Sequence, residues 1–338
     1  MTTSDLVVLR ATDVAQILAG REEAVLDAVA NAYASHRAGR TSLPHSSFLT
    51  IAGETGRERI IALPALIDDE RPIAGLKWIA SFPGNIERGL ARASAVLIAN
   101  CLETGRPRAI LESSLISSNR TAASAALAAR ALHGVDETRA GIIGCGVINF
   151  EIVHYLKVVM PKLRHLVLYD LRAERAAAFA QRVARAMPGV ECRVVPDLRA
   201  VFDAASLISF ATVAATPHVQ SCTNWSPDVT VLHVSLRDLS VECVCGVDNV
   251  VDDVDHVLRA NTSLHLAQQA LGHHQFIRCT LADILAGATP ARTAGRAAVF
   301  SPFGLGILDL AVARLVLANG GTDLGIQVKD FFGEDPSS

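Results

Sequence analysis

Aromatic residues are scarce in this chain: two Trp, three Tyr and 11 Phe among 338 residues. Ala, Val, Leu and Ile must fill the interior, which suits helices packed on a parallel sheet. One-sided charge is lacking too. Against 34 Asp and Glu stand 31 Lys and Arg, a net charge of −3 with the signs mixed throughout. That argues against nucleic-acid binding and against a basic membrane face. No apolar run reaches the roughly 18 residues of a membrane-spanning helix. The opening MTTSDLVVLRATD has no basic stretch followed by an apolar one, which argues against secretion and for a cytoplasmic protein. A cysteine framework is missing as well. Cys101, Cys145, Cys192, Cys222, Cys243, Cys245 and Cys279 are odd in number and irregularly spaced. Cys243 and Cys245 are the only close pair and no Cys/His pair completes a zinc set, so reduced, mostly buried thiols are expected. There is no internal repeat and no low-complexity linker.

What is present centres on the segment from Thr138 to Asp170, TRAGIIGCGVINFEIVHYLKVVMPKLRHLVLYD. It reads as strand (Ala140 to Ile143), glycine turn (Gly144-Cys145-Gly146), helix (Val147 to Met160), strand (His165 to Tyr169) and strand-tip acid (Asp170). This is the order of a dinucleotide-binding βαβ unit. Gly144 permits the tight turn. Gly146 lets backbone N–H groups approach a pyrophosphate that the helix N-terminus attracts. Asp170 can accept hydrogen bonds from both ribose hydroxyls and would repel a 2′-phosphate, which favours NAD over NADP. The third motif position holds Asn149 instead of Gly or Ala, and a helix set slightly further from the strand is expected there.

The rest of the chain places this unit in an α/β protein. Asp13 to Arg37 reads as an amphipathic helix. The segments 59–67, 73–81, 93–100 and 107–112 read as a partly antiparallel set of strands. Arg120 to His133 is an alanine-rich helix ending at Gly134. Alternating α/β segments continue to a strand at Ala298 to Phe300 and a helix from Gly304 to Asn319. The expected organisation is a Rossmann domain over residues 120–304. A discontinuous α+β domain, residues 1–119 with 305–338, would bind substrate and dimerise.

Three polar positions stand out in apolar or glycine-rich settings. Lys77 lies inside a strand, in GLKWIASFPGN. Arg120 lies at an expected helix start, where the dipole disfavours a cation unless an anion is bound. Asp238 follows the strand ending at Ser235, on the edge where open α/β sheets bind ligands. Each has a plain alternative as a solvated strand-end charge. His273-His274 reads as a solvated helix end, and Asp252, Asp253 and Asp255 as a cluster capping the next helix, so no metal site is expected.

The segments GLKWIASFPGN, TGRPRAILE, SSNRTAASAALAARAL, IIGCGVINFE, VLYD and VFSPFGLGILDLA resemble the ornithine cyclodeaminase/mu-crystallin family, over residues 35 to 320. The resemblance implies that Lys77 and Arg120 hold a substrate carboxylate and that Asp238 handles protons at the reacting amine or imine carbon. It also implies NAD contacts from Gly144, Gly146, Val147, Ile148, Asp170, Thr121, Thr212, Ser235 and Gly304, and a homodimer. LPHSSFL, RIIALPA and ESSLISSNRTAASA look most like the branch that makes 2,3-diaminopropionate. His45 stands where cyclodeaminases carry an arginine, and Ile60 to Pro64 lacks the acid that would hold the ornithine amine. The implied reaction is NAD-dependent oxidative cleavage of N-(2-amino-2-carboxyethyl)-L-glutamate, a small amino-acid conjugate, to 2-oxoglutarate and L-2,3-diaminopropionate. His45 and Arg237 would take the further carboxylates. Siderophore or peptide-antibiotic assembly is the expected use of the product. The alternatives are ornithine cyclodeaminase, a ketimine reductase or alanine dehydrogenase, and a non-enzymatic NAD-binding sensor or structural protein.

Overall fold

The computed structural model describes residues 5–53, 58–320 and 324–333. Its chain divides into two compact units, Met1–Arg120 with Leu305–Ser338, and Thr121–Gly304. The first unit opens with β1 (Leu6–Leu9), α1 (Ala11–Leu18) and α2 (Glu22–Arg37). There follow β2 (Thr41–Ser42), β3 (Ser47–Thr50), β4 (Arg59–Ile67), β5 (Ile73–Ser81), β6 (Ala93–Asn100) and β7 (Pro107–Glu112). Helix α3 (Ser114–Leu132) leads into the second unit. That unit holds β8 (Arg139–Ile143), α4 (Val147–Val159), β9 (His165–Tyr169), α5 (Ala173–Ala186), β10 (Glu191–Val194), α6 (Leu198–Phe202) and β11 (Leu207–Phe210). It continues with β12 (Thr230–His233), α7 (Val241–Gly246), β13 (Asp248–Val251), α8 (Val254–Val257), α9 (Ser263–Leu271), β14 (Ile277–Thr280), α10 (Leu281–Leu285) and β15 (Ala298–Ser301). Helix α11 (Gly306–Asn319) and β16 (Ile326–Val328) return to the first unit.

In the first unit the strands run in the order β16-β1-β7-β6-β5-β4-β2, with β3 paired to β4. The chain from β4 to β7 is an antiparallel meander, and β1 joins it in parallel on β7. Helix α11 lies directly on this sheet. A Cβ on Gly306 would stand 3.2 Å from the Ala65 Cβ, and one on Gly75 would stand 3.1 Å from a Leu310 methyl.

The second unit is a parallel sheet in the order β10-β9-β8-β11-β12-β15-β13-β14. All four residues of β11, β12, β13 and β15 are buried, as expected when helices cover both faces. The strand order reverses between β8 and β11, the switch point at which doubly wound sheets bind ligands.

Several expectations are corrected. The single helix over Asp13 to Arg37 is two helices, broken at Gly20 with φ +67°. The stretch from Asp255 to Leu271, helical by its sequence pattern, falls in two helices, α8 and α9, because Ala260 and Asn261 both adopt φ +53° between them. Helix α3 starts at Ser114, not Arg120. The Glu112 carboxylate accepts the backbone N–H of Ser114 at 2.7 Å and of Leu115 at 3.2 Å, and these capping bonds begin the helix early. Arg120 therefore lies in the helix body, and the dipole argument for an anion at that position falls away. The thiols are not all reduced: Cys222 and Cys243 form a disulfide, with Cα atoms 5.1 Å apart. The loop after β11 folds back on the start of α7, a proximity that a separation of 21 residues conceals. No helix among the described residues is long and apolar enough to cross a membrane.

Candidate active site

The glycine turn after β8 is built as a phosphate cradle. Gly144 has φ +88°, and a Cβ there would meet the Ala211 carbonyl oxygen at 2.5 Å, so both conformation and space require glycine. Gly146 differs: its φ is −103° and the nearest atom to an added Cβ is an Arg175 nitrogen 3.9 Å away. Among the described residues nothing fills that space, which fits close approach by a ligand's phosphates. No side chain caps α4, leaving the backbone donors at Val147 and Ile148 in its first turn to a ligand. Asn149 has a role the sequence reading missed. It is fully buried, its amide donates to the carbonyls of Ile143 (2.9 Å) and Gly144 (2.7 Å), and it accepts from the Ser209 hydroxyl at 2.7 Å. It clamps the turn from behind, the task that close packing performs when the position is glycine. Asp170 accepts the Cys145 N–H at 2.8 Å and the Arg172 N–H at 3.1 Å, so its carboxylate is fixed at the tip of β9.

At the other side of the switch point, Asp238 gathers a polar cluster. Its Oδ1 accepts from the Thr212 hydroxyl and its Oδ2 from the Ser235 hydroxyl, while His233 Nε2 lies 3.1 Å from Oδ2. His233 reaches Ser301 through Nδ1 at 3.0 Å. Burial would raise the Asp238 pKa, but bonds from His233, Ser235 and Thr212 outweigh it and hold the carboxyl at about 2. Asp238 is fully buried, whereas His218, with Nδ1 3.8 Å from its Oδ1, is 43% exposed. Leu236, two residues before Asp238, is held at φ +68°, a strained conformation for a branched side chain in the turn after β12.

In the first unit Lys77 and Arg120 meet on a residue that sequence reasoning did not single out. Asp309, fully buried on α11, accepts from Lys77 Nζ at 2.7 Å and from Arg120 Nε at 3.1 Å. The Ser117 hydroxyl lies 3.3 Å from both Lys77 Nζ and Arg120 Nη2. Two cations share one carboxylate, so one positive charge remains uncompensated. Burial drives the Lys77 ammonium down to about 8, with Asp309 opposing the fall and Arg120 adding to it. The signal for Asp309 lies in VFSPFGLGILDLA, an acid inside an otherwise apolar helix, where an ionised group requires a partner.

The remaining candidates are placed differently. Gly304 has φ +93° and donates its N–H to the buried Asp252 carboxylate at 2.7 Å, beside Phe303 N–H at 2.8 Å. Asp253 caps α8, accepting the His256 N–H at 2.8 Å. Arg237 donates to the Ala260 carbonyl at 2.7 Å and so braces the strained loop before α9. His45 is exposed ahead of β3, and Thr121 is partly buried in α3.

A glycine turn, strand-tip acid and switch-point cluster on a doubly wound sheet define a dinucleotide-fold protein. The first, discontinuous unit carries a buried cationic clamp. Residues 5–321 match the ornithine cyclodeaminase/mu-crystallin family, and the chain belongs to it. It is 27% identical over 319 residues to the N-((2S)-2-amino-2-carboxyethyl)-L-glutamate dehydrogenase of Staphylococcus aureus, covering 92% of this chain and 94% of that one. It is 26% identical over 314 residues to the alanine dehydrogenase of Archaeoglobus fulgidus, covering 90% and 93%. The fold matches the Thermococcus litoralis Δ1-pyrroline-2-carboxylate reductase, solved with NADH and L-proline, with a TM-score of 0.88 at 24% identity over 96% of this chain and 100% of that one.

Proposed function

We propose that this protein oxidises a secondary-amine conjugate of glutamate, N-(2-amino-2-carboxyethyl)-L-glutamate, and releases 2-oxoglutarate and L-2,3-diaminopropionate. The observation that carries the reading is the Lys77–Asp309–Arg120 cluster, whose residual positive charge suits a substrate carboxylate. The S. aureus relative supports the choice of conjugate. Against ornithine stands β4, whose side chains on the face of Lys77 are Arg59, Ile61, Leu63, Ala65 and Ile67, with no acid for a second ammonium.

The glycine turn, the first turn of α4 and Asp170 would hold NAD+, which supplies the two-electron acceptor when bound. Lys77 and Arg120 orient the carboxylate and thereby the glutamyl α-carbon. Hydride leaves that carbon and the amine proton leaves nitrogen, giving a ketimine. Addition of water and cleavage of the C–N bond complete the reaction. Asp238 is the proton acceptor in this scheme. A carboxylate held at about 2 does not retain a proton at neutral pH, so it passes the proton on, and His218 is the exposed partner within reach. The outer face of the first sheet carries Leu49, Trp78 and Val96, exposed by 52%, 40% and 40%. Burial of that face between two copies would give a homodimer.

NADH formation followed at 340 nm over the conjugate, L-alanine and L-ornithine tests the reading. Turnover of the conjugate with release of 2-oxoglutarate is the expected result. Turnover of alanine alone would replace it with an alanine dehydrogenase, and ammonia release from ornithine with a cyclodeaminase.

A further inference from the structure

Among the described residues of the first unit, one cation has no acid paired with it. Arg59, at the start of β4, is half-buried, and its Nε is fully buried without a hydrogen-bond partner. Burial alone holds its guanidinium below the ordinary value, with no acid opposing the fall. The adjacent acid, Glu58, is turned to Gly53, where an added Cβ would collide with its carboxyl end. A guanidinium held in this way costs free energy unless an anion completes it.

The register of the strands says where it points. Leu63 pairs with Lys77 and Arg59 with Ser81, so Arg59 and Lys77 project from the same face of the β4–β5 pair. Arg59 and Leu63 are four positions apart, about 13 Å along the strand. Helix α11 begins against Leu63 and Ala65 and runs towards Arg314, which binds Asp69 at 2.7 Å in the turn after β4. Beyond the start of α11 the same face continues as half-buried Ile61 and Ile79, with Phe48 of β3 beside Ile61 and 42% exposed. Two cations thus stand on one face, at the ends of a short apolar shelf.

We propose that Arg59 receives a second carboxylate of the substrate, so that this unit selects a dicarboxylic amino-acid skeleton over a monocarboxylic one. The two methylenes of a glutamyl side chain would lie on Ile61 and Ile79 while its far carboxylate meets the guanidinium. The inference rests on the reading that Lys77 and Arg120 hold the first carboxylate. It adds to that reading a partner for the glutamyl side-chain carboxylate.

Calorimetric binding of 2-oxoglutarate and of 2-oxobutanoate, with NAD+ saturating, separates the two claims. The unmodified protein should prefer 2-oxoglutarate by about tenfold or more, the scale of one charge-assisted bidentate bond. Arg59→Gln should abolish that preference while leaving 2-oxobutanoate and NAD+ affinity unchanged, and Arg59→Lys should retain part of it. Equal binding of the two keto acids by the unmodified protein, a preference that survives Arg59→Gln, or equal loss of both ligands in that variant would each overturn the proposal. If the dicarboxylate preference holds but the conjugate yields no NADH, Arg59 keeps its role and the conjugate is not the substrate.

Discussion

Neutralising Asp309 tests the centre of the candidate site. In Asp309→Asn the shape is kept and the charge is lost, leaving two buried cations where one carboxylate had bridged them at 2.7 and 3.1 Å. Removing one member of a buried ion pair typically costs about 3–5 kcal/mol. Here Lys77 offers an escape. Its ammonium already sits at about 8, so shedding the proton at pH 7 requires only about 1.4 kcal/mol. We expect a loss near the low end, about 3 kcal/mol at pH 7, with Lys77 neutral in the folded variant. The pH dependence follows in sign. In the variant the folded Lys77 pKa falls below about 8, because Asp309 no longer raises it, while the unfolded value stays at 10.5. The unfolded chain then binds the extra proton, and the variant's stability rises with pH by up to about 1.4 kcal/mol per unit. The unmodified protein gains stability in the same way only above about 8, where its own Lys77 begins to lose its proton. The deficit of the variant should therefore be larger at pH 6 than at pH 8. Urea unfolding followed by Trp78 fluorescence in a Trp225→Phe background reports on the first unit, because Trp78 lies beside Lys77 on β5. A deficit below about 1 kcal/mol, or one equal at pH 6 and pH 8, would refute the charge-balance argument.

Further expectations concern cofactor, proton, carboxylate and assembly. NAD+ should bind at least about tenfold more tightly than NADP+, some 1.4 kcal/mol, and Asp170→Ser should narrow the gap in a fluorescence titration; equal binding by the unmodified protein would contradict this. Asp238→Asn should lower turnover by roughly 10²–10⁴ with NAD+ affinity nearly unchanged, measured by stopped-flow hydride transfer, and normal turnover would move the proton role to Lys77. If Lys77 must be charged to hold the carboxylate, kcat/KM should fall above pH about 8, where its folded pKa lies, and Lys77→Arg should remove that limb. Light scattering at micromolar concentration should show a dimer that Trp78→Glu on the outer sheet face dissociates; a monomeric unmodified protein would remove the assembly claim.

The parts of the fold that could be read from sequence are those whose signal is local. The turn from Gly144 to Gly146, the alternation of apolar strands and helices after it, and the four strands of 59–112 depend on periodicity and on glycine and proline punctuation. The boundaries that failed were set by contacts across the chain or by single backbone angles. Glu112 caps α3 at Ser114, six residues before Arg120. Ala260 and Asn261 break a helical pattern with left-handed angles that no composition rule signals. Cys222 and Cys243 pair only because a loop returns to α7.

The amino-acid sequence by itself determined the family, the dinucleotide fold and most of the polar residues around which a site could form, because each is written in a short stretch of chain. The tertiary structure alone decided their partners. It brought Asp309 under Lys77 across 232 positions, surrounded Asp238 with His233, Ser235 and Thr212, and left Arg59 without an acid on the Lys77 face of β4. Charge balance and proton affinity depend on distance and burial, and neither is set until helices and strands remote in sequence are packed together.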